Sequence, residues 1–211
     1  MPAARESLLD AAFTALARRP WAAVRMVDVA AAAGVSRQTL YNEFGSKEGL
    51  ARALVRREAD AYLAGVERAL TAQCDPRDRL TAAAEWTISA ARGNALVRAM
   101  LTGCWGEWLP SPMLSAVPSS CAVPAQRRAD RPLPSPGDFV ALVRDRAVAV
   151  LAGPGVPQAD AAELARSCEL VVRLALSCVA APPGEGGVVD LVRAQCASIH
   201  LSAPSRTAAG R

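Results

Sequence analysis

A chain of 211 residues with 52% apolar and 21% charged side chains has enough apolar material to bury a core as one large or two modest domains, which excludes an intrinsically disordered chain. No apolar run reaches the roughly eighteen residues a bilayer span needs, and Arg5, Glu6 and Asp10 place charges in the opening residues, so a cytoplasmic protein without membrane contact is expected. The net charge of +4 is placed unevenly: residues 1–57 hold nine basic side chains against five acids, while the other 154 hold fifteen of each, which suggests a polyanion-binding head on an uncharged body.

The periodicity is helical throughout and predicts an all-α fold. A first helix over about 5–18 buries Leu8, Leu9, Ala12, Phe13 and Leu16 at helical spacing and is ended by Pro20. A short second helix spans about Val27 to Ala33. Gly34 then supplies a left-handed C-terminal residue, and Ser36 supplies an N-cap oxygen for a third helix from Arg37 to Phe44. Gly45 closes that helix, and Ser46 caps a fourth that starts at Lys47 and continues past Tyr62.

Two short helices joined by a glycine turn, the second opening on polar side chains, describe a helix-turn-helix unit. In it Val29, Ala30, Ala33, Val35, Leu40 and Phe44 face inward, and Arg37, Gln38, Thr39, Tyr41 and Asn42 stay on the outer face. These side chains suit DNA. Arg bridges guanine, Gln and Asn bridge adenine, and a Thr methyl meets thymine, all from a helix narrow enough for the major groove. Tyr41 and Lys47, the one lysine of the chain, suit phosphate, because the free N–H groups at the helix start beside Lys47 already favour an anion.

The block MVDVAAAAGVSRQTLYNEFGSKEGLARAL resembles the DNA-binding head of the TetR family of bacterial transcriptional regulators. The A-G-V-S turn, the T-L-Y helix and the S-K-E start carry the resemblance, which covers roughly residues 5–54. It implies an all-helical homodimer in which three small N-terminal helices read DNA and a larger variable domain dimerises and binds a small effector. It also implies backbone contacts for Thr39, Tyr41 and Lys47, with Ser36 at the cap, and base contacts for Arg37, Gln38 and Asn42. The chain departs from the family pattern in three places. Arg25 and Met26 stand where a Thr or Ser usually caps the second helix, so Arg25 can replace a phosphate contact but not the cap. Pro20 and Trp21 stiffen the bend before that helix. Glu43 is expected to face away from DNA, the alternative being acceptance from cytosine N4.

A helix over about 78–91 carries Leu80, Ala84 and Ile88, and another over about 95–109 carries Val97, Met100, Leu101, Cys104, Trp105 and Trp108. Trp86, Met100, Cys104, Trp105, Trp108 and Met113 form an aromatic and sulfur-rich set that lines an apolar ligand pocket or simply packs a core. Seven prolines between Pro110 and Pro136 forbid a long helix and predict a loop, either a loose connection or an effector entrance. Helices over about 138–151, 158–181 and 188–199 follow, the last two with more apolar surface than one buried side needs, as in a dimer-forming bundle to which each subunit lends a pair. The expected division is a DNA-binding domain at 1–46, a connecting helix at 47–64, an effector and dimerisation domain at 65–201 and a disordered tail at 202–211.

Six cysteines without any C-x-x-C, and His200 as the one imidazole, give no metal-ligand spacing and are expected to be reduced and mostly buried. Catalysis has no support: there is no E-x-x-H pair, no G-x-S-x-G and no phosphate loop, and no cofactor is implied. The reading is a transcriptional regulator, most simply a repressor that leaves a palindromic operator when a small effector changes the tilt of the helix over 46–62. An architectural DNA-binding protein with the same head and no effector is the alternative.

Overall fold

The computed structural model describes residues 2–73, 75–110, 133–152, 158–181 and 187–197, and among these every long element is an α-helix. In chain order they are α1 (Pro2–Leu16), a 3-10 turn (Trp21–Ala23), α2 (Met26–Ala32), α3 (Arg37–Phe44), α4 (Lys47–Ala72), α5 (Pro76–Gly93), α6 (Ala95–Thr102), α7 (Pro136–Leu151), α8 (Gln158–Ala180) and α9 (Gly187–Ala197). No helix among the described residues is long and apolar enough to cross a membrane. Two compact units are formed, one from Met1–Ala61 and Ala95–Ser135, the other from Tyr62–Asn94 and Pro136–Arg211. This grouping differs from the expected division at 46 and 64, because α6 and the residues after it join the head, and α4 runs from one unit into the other without a break.

In the first unit α1, α2 and α3 pack on one another around Leu8, Leu9, Ala12, Leu16, Val29, Ala30, Leu40 and Phe44, all buried. The boundaries around α3 have chemical causes. Gly34 and Gly45 take φ of +68° and +71°, a region that costs a side chain but not glycine. Ser36 Oγ accepts from the Thr39 N–H at 3.0 Å, and Ser46 Oγ from the Gly49 N–H at 3.1 Å. Charge ties α1 to the rest of the unit: Arg57 of α4 reaches Asp10 at 2.7 Å, Glu58 at 2.9 Å and Glu6 at 4.0 Å and lies over the Phe13 ring.

In the second unit α8 packs on α5 and α7, and α9 on α5 and α8. Phe139, Val143, Ala147, Leu164, Cys168, Val171, Ala175 and Val192 are buried there with Leu70, Leu80, Ala84 and Ile88. Tyr62 is buried edge-on to Phe139, its hydroxyl 3.1 Å from that of Thr87, and burial pushes its phenol up to about 12. On α8 Glu169 pairs with Arg173 at 2.7 Å and with Arg144 of α7 at 3.3 Å.

Two helix boundaries correct the expectations. α5 starts earlier than residue 78, because Asp75 Oδ1 accepts from the Arg77 N–H at 2.7 Å and Pro76 fills the first helical position. α6 stops at Thr102 rather than near 109, because Gly103 turns into the left-handed region at φ +73°. Cys104, Trp105 and Trp108 therefore do not continue the buried face that Met100 belongs to. Met113, the tail and most of the proline-rich stretch lie outside the described residues.

A close approach of α4 and α5 in the second unit is made at Gly65. Trp86 lays its indole on that glycine and donates from Nε1 to the Tyr62 carbonyl at 3.1 Å, and a Cβ at residue 65 would fall inside the indole. Gly65→Ala should therefore lower unfolding stability by about 1–3 kcal/mol despite the better helix propensity of alanine. Gly93→Ala, where the added methyl meets nothing within 4 Å, should leave stability unchanged or raise it by up to about 1 kcal/mol, both measured by urea unfolding.

Candidate nucleic-acid interface

α3 has eight residues, too few to persist alone. Three local devices hold it. Ser36 caps its start, Leu40 and Phe44 are buried beneath it, and Arg5 of α1 closes its end. Arg5 lies over the Phe44 ring at 4.6 Å, donates to the Glu43 carbonyl at 3.4 Å and pairs with the Glu43 carboxylate at 3.6 Å. A cation at a helix C-terminus is favourable, and the same contact turns Glu43 toward α1. Arg5 carries no sign of this role in the local pattern, since its partners are 38 residues away.

The outer face of α3 presents Arg37, Gln38, Tyr41 and Asn42, all exposed, with Tyr41 39% accessible. Gln38 Nε2 donates to Asn42 Oδ1 at 2.8 Å, which aligns the two amides while leaving the Gln38 oxygen and the Asn42 N–H groups for a base edge. Thr39 is half-buried, its hydroxyl 2.9 Å from that of Ser36, so both residues serve the cap first.

Lys47 and Arg25 are less free than their sequence positions imply. Lys47 Nζ donates to the Ala22 carbonyl at 2.9 Å and stands 5.7 Å above the Trp21 ring; desolvation there pulls its pKa below the ordinary lysine value. An ammonium has three donors, so two remain for an anion. At the start of α4 the Glu48 carboxylate is held below its usual range, first by its own backbone N–H and then by Ser46, and so competes for the helix terminus that a phosphate would use. Arg25 makes no cap bond to α2. Its guanidinium holds Asp28 at 2.9 and 3.0 Å, and Asp28 also accepts from Arg19 at 3.2 Å. The hydrogen bond from Arg25 keeps the Asp28 pKa low. With 72% of its side chain accessible, Arg25 can still meet a second anion.

The aromatic and sulfur-rich set is divided between the two units, with Met113 outside the described residues. Met100 is buried in the first unit, Cys104 is exposed and Trp108 is 55% accessible, and Trp86 belongs to the α4–α5 packing of the second unit. The helical spacing that runs through Trp108 in the sequence is broken by the turn at Gly103. Among the described residues, an apolar cleft in the second unit is lined by residues such as Leu70, Ala84, Val143 and Val171, with room for no more than about one water. No group of three or more His, Cys, Asp or Glu among the described residues is placed to hold a metal ion.

Residues 8–54 match the pattern of the bacterial regulatory proteins of the tetR family. Over 68 residues the chain is 50% identical to the HTH-type transcriptional regulator AlkX of Mycobacterium tuberculosis, which is 32% of each chain. Over 81 residues it is 41% identical to the HTH-type transcriptional activator FasR of Mycolicibacterium smegmatis, 38% of this chain and 37% of that one. The matched segments thus span about a third of those curated relatives. The crystal structure of the TetR family repressor AlkX from Dietzia sp. strain DQ12-45-1b, implicated in biodegradation of n-alkanes, shares the fold at a TM-score of 0.51 with 21% identity, covering 92% of this chain and 96% of that one. With its capped α3, its glycine turn and its S-K-E helix start in the matched segment, residues 8–54 carry the DNA-binding head of the bacterial regulatory proteins of the tetR family, and beyond it the chain shares the all-helical fold of the Dietzia structure.

Proposed function

We propose that the protein is a homodimeric repressor that leaves a palindromic operator when a small molecule binds its second unit. The observation that carries the reading is the solvent face of α3, where Arg37, Gln38 and Asn42 stand clear of the core on a helix fixed at both ends. In a dimer two such helices enter successive major grooves about 34–36 Å apart. Arg37, Gln38 and Asn42 read base edges; Tyr41, Thr39, Lys47 and Arg25 hold phosphates on either side, with Ser36 keeping the helix start in register. Pairing of two copies is supported by α8 and α9, which leave Leu170 and Leu191 51% and 43% accessible, an apolar surface that a second copy would cover. The name of the Dietzia relative favours repression; that of FasR is an activator.

An effector acts only by binding the DNA-free form more tightly than the DNA-bound form. The narrow apolar cleft among α4, α5, α7 and α8 favours a second reading, a DNA-binding protein without an effector. Mass spectrometry of protein purified from its native host separates the two: a retained small molecule supports release by an effector, and its absence supports the second reading.

Selection of bound fragments from genomic DNA supplies the operator on which the site residues are tested. Arg37→Ala and Gln38→Ala should each cost about 1–3 kcal/mol on the best operator and flatten preference at one or two base pairs. Lys47→Ala should weaken binding to all duplexes alike and reduce the slope of log affinity against log salt by about one; an unchanged salt dependence would overturn its phosphate role. Leu170→Glu together with Leu191→Glu should give a monomer in analytical ultracentrifugation with operator affinity reduced at least tenfold, and a dimer that binds normally would remove α8 and α9 from the interface.

A further inference from the structure

We propose that residues 103–110 form a strap that latches the DNA-binding head at the Trp21 turn and thereby positions Lys47. The inference rests on reading Lys47 as a phosphate contact. After α6 ends, the chain turns at Gly103 and again over Gly106–Leu109, where the Leu109 N–H donates to the Gly106 carbonyl at 3.0 Å. That second turn aims the Trp108 carbonyl at the N–H of Trp21, 2.8 Å away.

Trp21 opens the 3-10 turn, and the first N–H groups of a helical turn have no partner within it. The strap provides one. The indole of Trp21 is buried, 7% accessible, and it forms the surface over which the Lys47 ammonium stands, while the next residue, Ala22, offers the carbonyl that Lys47 holds. Strap, turn and lysine are therefore joined through one three-residue element. Pro20, with φ of −60°, narrows the conformations open to that element on its N-terminal side. With the Trp108 carbonyl in place, the turn is fixed and the ammonium is held with two donors to spare. Without it, the N–H of Trp21 loses its partner, the turn loosens, and Lys47 must be ordered at the moment of binding.

The strap also has a place in the chain that suits a signal. One residue, Asn94, separates the end of α5 in the second unit from the start of α6. The segment is thus a covalent connection from the second unit to the head separate from α4.

Replacing the Pro20–Trp21 amide with an ester, by joining a synthetic N-terminal segment to the rest of the full chain, removes the donor and leaves every side chain unchanged. On a selected operator duplex, affinity should fall about threefold to tenfold, the range expected for one hydrogen bond, with a shallower salt slope. In a Lys47→Ala background the same ester should have no further effect. Binding equal to the parent at all salt concentrations overturns the latch, as does an ester effect that adds in full to Lys47→Ala. If Lys47→Ala itself leaves the salt dependence unchanged, the phosphate reading falls and takes the latch with it, a result distinct from the first. Should the ester melt the head in circular dichroism, Trp108→Gly, at a largely exposed side chain, loosens the strap from the other side; an unaltered salt slope in that folded variant also overturns the proposal.

Discussion

The reading of this protein as a DNA-binding regulator depends on one short helix being held rigid while its polar face stays in water. An eight-residue helix gains too little from its own hydrogen bonds to survive. The Ser36 hydroxyl at one end, Arg5 at the other and the burial of Leu40 and Phe44 between them supply the order from outside the helix. Because the anchoring groups lie beneath or at the ends, the side chains that would meet base edges bear no structural duty beyond the Gln38–Asn42 bond. Substitution at those positions can alter recognition while leaving the scaffold standing.

Around that helix the cations are held by partners rather than waiting in solvent. Arg25 is engaged by Asp28, Lys47 by Ala22 and Trp21, Arg5 by Glu43. Held cations lose less side-chain entropy when they meet a phosphate, at the cost of exchanging or sharing an existing bond. For Asp28, whose folded pKa lies below its ordinary value, the link to Arg25 is present above the ordinary aspartate range and is lost as pH falls through the lowered value. Acidification therefore frees Arg25 for another anion.

Sequence made the head legible because its boundaries are set by local chemistry. Left-handed glycines at 34 and 45 and hydroxyl caps at 36 and 46 are residue-type requirements, so α3 falls where the pattern puts it. The Asp75–Pro76 start of α5 was equally readable and is the same kind of signal. The continuation of α6 to Trp108 was suggested by apolar spacing, and spacing is blind to the single glycine that ended the helix. Contacts between distant residues left no trace in the pattern: Arg5 with Phe44, Arg57 with Asp10, and the Trp108 carbonyl with Trp21 join positions that no periodicity relates. Helical spacing likewise groups Trp86 and Met100 by face and not by the unit in which each ends up.

The position of Arg5 has a practical side. α1 begins at Pro2, so a purification tag joined ahead of it would start within about one helical turn of the arginine that closes α3. A fusion at the opposite end keeps that contact out of reach of added sequence. Differences in DNA affinity between differently tagged preparations would then trace to the handle rather than to the regulator.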